Sequence, residues 1–401
     1  MRWRPCCSCD DDAMSDPHAL IDVDRLVART VELVQIPSVN PFDEPMADGE
    51  GERAAAAWFR SHLERLGYDV SGDSFADGRP NVIGVGPGGD GDVVCLAGHL
   101  DTVGVVGYDD PFSGAVRDGR IHGRGTCDMK GALAAFVEVA DVLADAGVEL
   151  AGRLMLAGIA DEEHGMVGSA LAGASGPIAD HLIVGEPTSL AVCPAHKGQY
   201  AFPIRTEGRA VHSSLKFEGV NAIEHMMEIM RMLGAYEDEL RAIEPHELLG
   251  LASVNLGVIR GGDMVSIVPD TCELHVDRRL LPSETSAGVR AELEARIGAL
   301  AEGRADFRWS IGEPFVDAKP LDTAHSEPVV QAAQAAMSSR GLSPILEACT
   351  GSTDAPNLGG PAIIWGPGSL SQAHTIDEWL DIGELEAAAH LYLDAVLELA
   401  G

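Results

Sequence analysis

Five short polar clusters carry the residue types that hold metal cations: Gly98-His99-Leu100-Asp101-Thr102, Gly123-Arg124-Gly125-Thr126-Cys127-Asp128-Met129-Lys130-Gly131, Asp161-Glu162-Glu163, Gly185-Glu186-Pro187 and Ala373-His374-Thr375. A lone histidine or glutamate in a loop is ordinarily just solvated. Together the five clusters supply two histidines and several carboxylates, the mixed nitrogen and oxygen set that suits zinc, cobalt or manganese.

Each cluster falls at the edge of an expected strand or in the loop beyond it. Apolar and amphipathic spacing predicts helices over 23–36, ended by Pro37, and over 52–66, stopped by Gly67. Strands are expected over 81–85 and 93–97, then a helix over 131–146 and strands over 154–160 and 181–185. The apolar runs stop where His99, Asp161 and Glu186 begin, and open α/β sheets place their sites just beyond such ends. Between about Lys197 and Glu313 the order changes to strand 199–206, helix 222–240, strands 253–259 and 271–278, helix 284–300 and strand 306–311. That is a ferredoxin-like α+β unit. Alternation then resumes with helix 327–340, strand 362–364 and helix 383–400. The expected division is a leader over 1–20, a catalytic domain over 21–195 and 314–401, and an inserted domain over 196–313. All five clusters lie outside the insertion.

The 401 residues include 28 Lys+Arg and 63 Asp+Glu, a formal charge of −35. That balance works against nucleic-acid or anionic-membrane partners, which need basic patches. No stretch approaches the ~18 apolar residues of a spanning helix. The expectation is a cytoplasmic chain from a salt-loving host, where dissolved ions screen the surface carboxylates. Cys95, Cys127, Cys193, Cys272 and Cys349 stand far apart in apolar or small-residue surroundings, as buried free thiols do in a reducing compartment. Cys6, Cys7 and Cys9 have no second ligand pair at zinc-finger spacing, and the expected start is Met14, after a disordered segment.

The clusters, their order and the inserted domain resemble the M20 family of metallohydrolases, which includes acetylornithine deacetylase, succinyl-diaminopimelate desuccinylase, aminoacylase-1 and the glutamate carboxypeptidases. The resemblance covers nearly the whole chain after about residue 20. It implies an α/β fold: a three-layer α/β/α catalytic domain with a mixed sheet, interrupted by a ferredoxin-like lid and dimerisation domain. It also implies two divalent metal ions, zinc or else cobalt or manganese. His99 and Glu186 would bind one, Glu163 and His374 the other, and Asp128 both. Asp101 would fix the His99 tautomer, Glu162 would be the general base, and the Asp128–Met129 peptide would be cis. His212, in Ala210-Val211-His212-Ser213-Ser214, would reach across a homodimer interface to stabilise the oxyanion.

The same resemblance puts a substrate carboxylate on Arg279, chosen over Arg278 by its spacing from Leu280-Leu281-Pro282. The loop Gly351-Ser352-Thr353-Asp354-Ala355 would face substrate, with Gly351 and Asp354 among its contacts. Many members have Asn three residues before the proline of the Ile-Val-Pro segment; here Ser266 stands there, with shorter reach. The implied reaction removes an acetyl or succinyl group from an N-acylated amino acid. The alternative is dipeptidase or carboxypeptidase cleavage of a peptide bond. Glu186 in Gly-Glu-Pro leans towards deacylases and carboxypeptidases, since family aminopeptidases tend to have Asp there. A non-catalytic binding protein would have lost ligands or base, yet each is present.

Overall fold

The computed structural model describes residues 16–42, 50–75 and 78–401. Its centre is a mixed sheet whose neighbours run Asp69–Ser71, Val82–Val85, Arg153–Ile159, Val93–His99, His181–Val184, Ala362–Ile364, Val192–His196 and Leu321–Asp322, with Leu346–Cys349 added beside Val192–His196. Val93–His99 is parallel to both Arg153–Ile159 and His181–Val184, so three chains leave the sheet on the same edge. Alternation along these strands splits the core in two. Val94, Leu96, Leu154, Leu156 and Ile183 face one way, packed with the long helices Val23–Val34, Glu50–Arg65, Gly131–Asp145, Pro328–Ser339 and Ile382–Ala400. Cys95, Ala97, Met155, Ala157 and Leu182 face the other way, under the short helices Val167–Ala172 and Ala355–Leu358. The three layers are therefore unequal, one helical layer thick and one thin.

The inserted domain has the expected order: strand Gly198–Glu207, helix Ala222–Arg241, strands Ser253–Gly261 and Thr271–Leu280, helix Ser286–Ala301 and strand Arg308–Ile311. Its sheet runs Ser253–Gly261, Thr271–Leu280, Gly198–Glu207, Arg308–Ile311, all neighbours antiparallel. The chain crosses between sheets at Lys197, since His196 ends a strand of the first and Gly198 begins one of the second. It returns later than Glu313, because Val316–Ala318 first pairs with Gly198–Glu207 before Leu321–Asp322 pairs with Val192–His196.

Residues 16–20, expected to belong to the leader, are folded. Asp16 caps the turn Pro17–Leu20, Leu20 packs on the core and His18 Nε2 lies 2.8 Å from Asp394. The expected start at Met14 and the cluster Cys6, Cys7 and Cys9 lie outside the described residues. The other five cysteines are free and buried. Among the described residues no helix is long and apolar enough to cross a membrane.

Candidate metal centre

The parallel strands deliver three of the expected ligands directly. His99 is the last residue of Val93–His99, Glu186 lies two residues past Val184, and Asp161-Glu162-Glu163 follows Arg153–Ile159 after one residue. Asp128 comes from the tight turn Thr126–Lys130 ahead of helix Gly131–Asp145. Gly125 opens that turn at φ +83°, a conformation side chains disfavour. The Asp128–Met129 peptide is cis. Gly98 leaves room behind it, where a Cβ would come within 2.5 Å of Met129 Cε. His374 arrives from the turn after Ala362–Ile364.

Folding gathers all five. His99 Nε2 lies 2.9 Å from Asp128 Oδ1 and 3.8 Å from Glu186 Oε2. His374 Nε2 lies 3.3 Å from Asp128 Oδ2 and 3.1 Å from Glu163 Oε2. The donors form two groups, His99–Asp128–Glu186 and Asp128–Glu163–His374, with ligand atoms within 4.8 Å of one another in each. Asp128 belongs to both through different oxygens.

Burial pushes the Glu163 carboxyl up to about 7, with Asp128 adding to the effect. Burial likewise holds Glu186 well above the usual carboxylate range, and its Oε1 is buried without a partner among the described residues. Burial alone would lower the His99 imidazole, but Glu186 and Asp128 outweigh it and hold it well above its usual value. Three crowded carboxylates, an orphaned carboxylate oxygen and two imidazoles fit divalent cations. Cys127 is buried within the turn and donates to the Ser369 carbonyl (3.3 Å), as a packed thiol.

Asp101 acts differently from the sequence reading. His99 Nδ1 donates to the main-chain carbonyl of Asp101 at 2.9 Å, whereas the Asp101 carboxylate is 3.7 Å away. A carbonyl can only accept, so it already fixes the imidazole tautomer. The carboxylate instead accepts from the backbone N–H of Glu162 (3.1 Å) and Glu163 (3.2 Å) and from Asn40 Nδ2 (2.8 Å). Glu162 is thus held by its main chain, while its carboxyl, without a hydrogen-bond partner among the described residues, is kept well above the usual range by burial and by Glu186.

Sequence reasoning missed the shell behind these groups. Asn40 also donates to Asp161 (3.0 Å), and Arg79 Nη1 reaches Asp161 and Glu52, each at 3.0 Å. Glu378, fully buried, accepts from Arg124 Nη1 (2.6 Å) and from the N–H groups of Cys127 (2.9 Å) and Asp128 (3.1 Å). It ties the Asp128 turn to the His374 segment. Its position four residues past His374 is the one signal the sequence offers for it.

The family model for peptidase family M20/M25/M40 matches residues 95–398. The chain belongs to that family. It is 30% identical over 381 residues to acetylornithine deacetylase of Shigella sonnei, covering 91% of this chain and 95% of the relative. It is 32% identical over 377 residues to that of Proteus mirabilis, covering 90% and 93%. The fold is shared with aminopeptidase PepT of Bacillus cereus at TM-score 0.76 and 22% identity, over 95% of this chain and 99% of that one.

Of the remaining expected site residues of this M20 chain, Asp354 lies close enough to Glu162 and Glu186 to raise both carboxyls, while none of the others belongs to the two donor groups. His212 is exposed on the inserted domain, with Nδ1 2.8 Å from Ser214 Oγ. It bridges Ile267, and the Ser266 carbonyl accepts from Ser213 (2.8 Å), so Ser266 sits beside His212 rather than beside Arg279. Arg278 and Arg279 point to opposite faces of their strand. Arg278 is buried with Glu284 and Tyr236, while Arg279 lines a cavity between the two sheets. Gly351 is half-buried in its loop. Asp354 is buried rather than presented to solvent, raised to about 7 by burial, with Oδ1 unpartnered among the described residues.

Proposed function

We propose that this M20 chain is a metal-dependent amidohydrolase that removes an acetyl or succinyl group from an N-acylated amino acid. The observation that carries the reading is Asp128 shared between two donor groups, with Glu162 alongside and its carboxyl uncommitted. Full-length likeness to acetylornithine deacetylases favours a deacylase over a peptidase.

His99, Asp128 and Glu186 would hold one divalent cation, and Asp128, Glu163 and His374 the other. When bound, such ions make water more acidic and polarise the scissile carbonyl. Glu162 takes the proton from the attacking water and returns it to the leaving amine, a contribution of roughly 10²–10⁴-fold. Burial and the neighbouring Glu186 raise its proton affinity, as suits a group that must both accept and release a proton. Arg279 holds the substrate carboxylate.

A homodimer forms through the inserted domain, where the edge strand Ser253–Gly261 exposes Leu256, Val258 and Ile259, and the neighbouring loops expose Phe217 and Val265. His212, beside those loops, reaches the partner's site as oxyanion donor.

The test is a panel of N-acetyl and N-succinyl amino acids and dipeptides with metal-loaded enzyme. The expected result is a preference in kcat/KM for an acyl amino acid and its loss in Glu162→Gln, at unchanged metal content. Preferred cleavage of dipeptides would replace the deacylase reading with the peptidase one. Undiminished turnover by Glu162→Gln would remove the assigned base.

A further inference from the structure

His196 is wholly buried, and no motif gives it a role. It is the last residue of Val192–His196, immediately before the crossover to the inserted sheet, and its main chain lies between Cys349 on one side and Leu321 on the other. The loop Gly351-Ser352-Thr353-Asp354-Ala355 begins two residues beyond Cys349. The imidazole therefore stands both where the inserted domain leaves the catalytic one and where that loop starts.

Both ring nitrogens are used. Nδ1 lies 3.0 Å from the Lys197 carbonyl and Nε2 3.1 Å from Thr353 Oγ1. A carbonyl can only accept, so Nδ1 carries the proton and Nε2 accepts from the Thr353 hydroxyl. Burial lowers the proton affinity of the ring, which keeps it neutral and keeps Nε2 an acceptor. Thr353 Oγ1 in turn accepts from the N–H of Ala355 at 3.3 Å. One buried chain of hydrogen bonds runs from the crossover, through the ring and the hydroxyl, into the main chain of the loop.

The loop needs such an anchor. Among the described residues, no hydrogen bond between main-chain groups ties residues 351–353. Yet Thr353 and Asp354 are buried, and Asp354 stands close enough to Glu162 and Glu186 for their charges to interact. Ser169 holds the Asp354 carboxyl from the far side, and Thr353 is the hold on the near side. Ser352 Oγ and Asp354 Oδ1 are buried without partners among the described residues, so a small shift of the loop would change what each of them meets.

We propose that His196 is a positioning residue of the reaction: through Thr353 it sets loop 351–355, and with it Asp354, against Glu162 and in register with the crossover at Lys197. Its bearing on turnover rests on the amidohydrolase reading; its hold on the loop rests on the two ring hydrogen bonds alone. The ring bonds to none of the metal donors, so it acts on the geometry of the site and carries no proton of the reaction.

The test compares Thr353→Val, Thr353→Ser, His196→Asn and His196→Gln, metal-loaded, on the best acyl amino acid of the panel. Valine keeps the shape of threonine without the hydroxyl, whereas serine keeps the hydroxyl. An Asn amide reaches as far as Nδ1 and so loses Thr353, whereas a Gln amide reaches the Nε2 position and can keep it. A displacement of about 1 Å beside the chemistry costs on the order of 10²-fold in rate. Thr353→Val and His196→Asn should therefore each lower kcat about 10²-fold, with KM and metal content little changed. Thr353→Ser and His196→Gln should keep most of kcat. The doubly substituted His196→Asn, Thr353→Val protein should be no slower than either single variant, because both changes cut one link. Hydrogen exchange over 350–359 reads the loop without turnover, and Thr353→Val should speed it about tenfold, the worth of one hydrogen bond. Unchanged kcat in Thr353→Val, a Thr353→Ser variant equally slow, additive losses or unchanged exchange each overturns the proposal. Should His196→Asn fail to fold, Thr353→Val and Thr353→Ser decide by themselves. Wild-type protein that hydrolyses no panel member removes the amidohydrolase reading, and exchange then decides whether His196 holds the loop.

Discussion

Replacing Asp101 separates two ways in which a carboxylate can serve a metal centre. The side chain is fully buried and accepts three hydrogen bonds, from Glu162 N, Glu163 N and Asn40 Nδ2. Asp101→Ala orphans all three donors. At about 1–3 kcal/mol for each buried donor left unmade, and about 3–5 kcal/mol for breaking a buried charged network, a loss of roughly 3–5 kcal/mol is expected. Asp101→Asn is gentler. Its amide oxygen can keep the two bonds now made by Oδ2, but its NH₂ then opposes the Glu162 N–H, at about 1–3 kcal/mol. That conflict falls on the main chain of the proposed base. A drift there of about 1 Å costs on the order of 10²-fold in rate. The His99 ring is held by the Asp101 carbonyl, which both variants retain. Asp101→Asn should therefore keep wild-type metal content while kcat falls about 10²-fold. Urea unfolding, metal analysis and steady-state kinetics measure the three quantities. If Asp101→Asn instead loses metal while kcat per loaded centre is unchanged, the carboxylate acts through the imidazole and the reasoning fails.

Glu378→Ala should destabilise the protein by about 3–5 kcal/mol in urea, because Arg124 is left buried without its carboxylate. It should also weaken metal retention against a chelating dye, since the N–H groups of Cys127 and Asp128 lose their acceptor; unchanged retention would sever the link drawn between Glu378 and the Asp128 turn. His196, wholly buried, is lowered from 6.5 to about 4 by burial. The unfolded chain takes up this proton near 6.5 and the folded chain only near 4, so the stability is complete above about 6.5 and is lost as pH falls towards 4, by about 3 kcal/mol in all. The stability difference between wild type and His196→Asn should slope across that window; a flat difference refutes it.

Much of the fold was legible because the parallel strands are buried on both faces and read as plain apolar runs, as over 154–160. Strand Val192–His196 was not, because Pro194 argues against a strand interior. Leu346–Cys349 was hidden by its brevity and by Glu347, and Ala115–Arg117 and Arg120–His122 are three-residue strands with no apolar run. The candidate metal donors were legible because each sits in a short polar motif, three of them at or just past the end of a parallel strand. Glu52 and Arg79 were not, since a first-turn glutamate and a loop arginine look solvated until folding buries them against Asp161. The role of Asp101 was misassigned for a related reason: spacing places its carboxylate near His99 but does not say which of its oxygens the ring meets.

The two sides of the centre differ in how they meet solvent. The His99 side chain is sealed, whereas 55% of the His374 side chain is exposed. A cation held on the His374 side would trade with the surrounding solution faster than its neighbour. Brief treatment with a small chelator would then yield a half-stripped species rather than a mixture of full and empty molecules, and the pair would be refilled in a fixed order, inner position first.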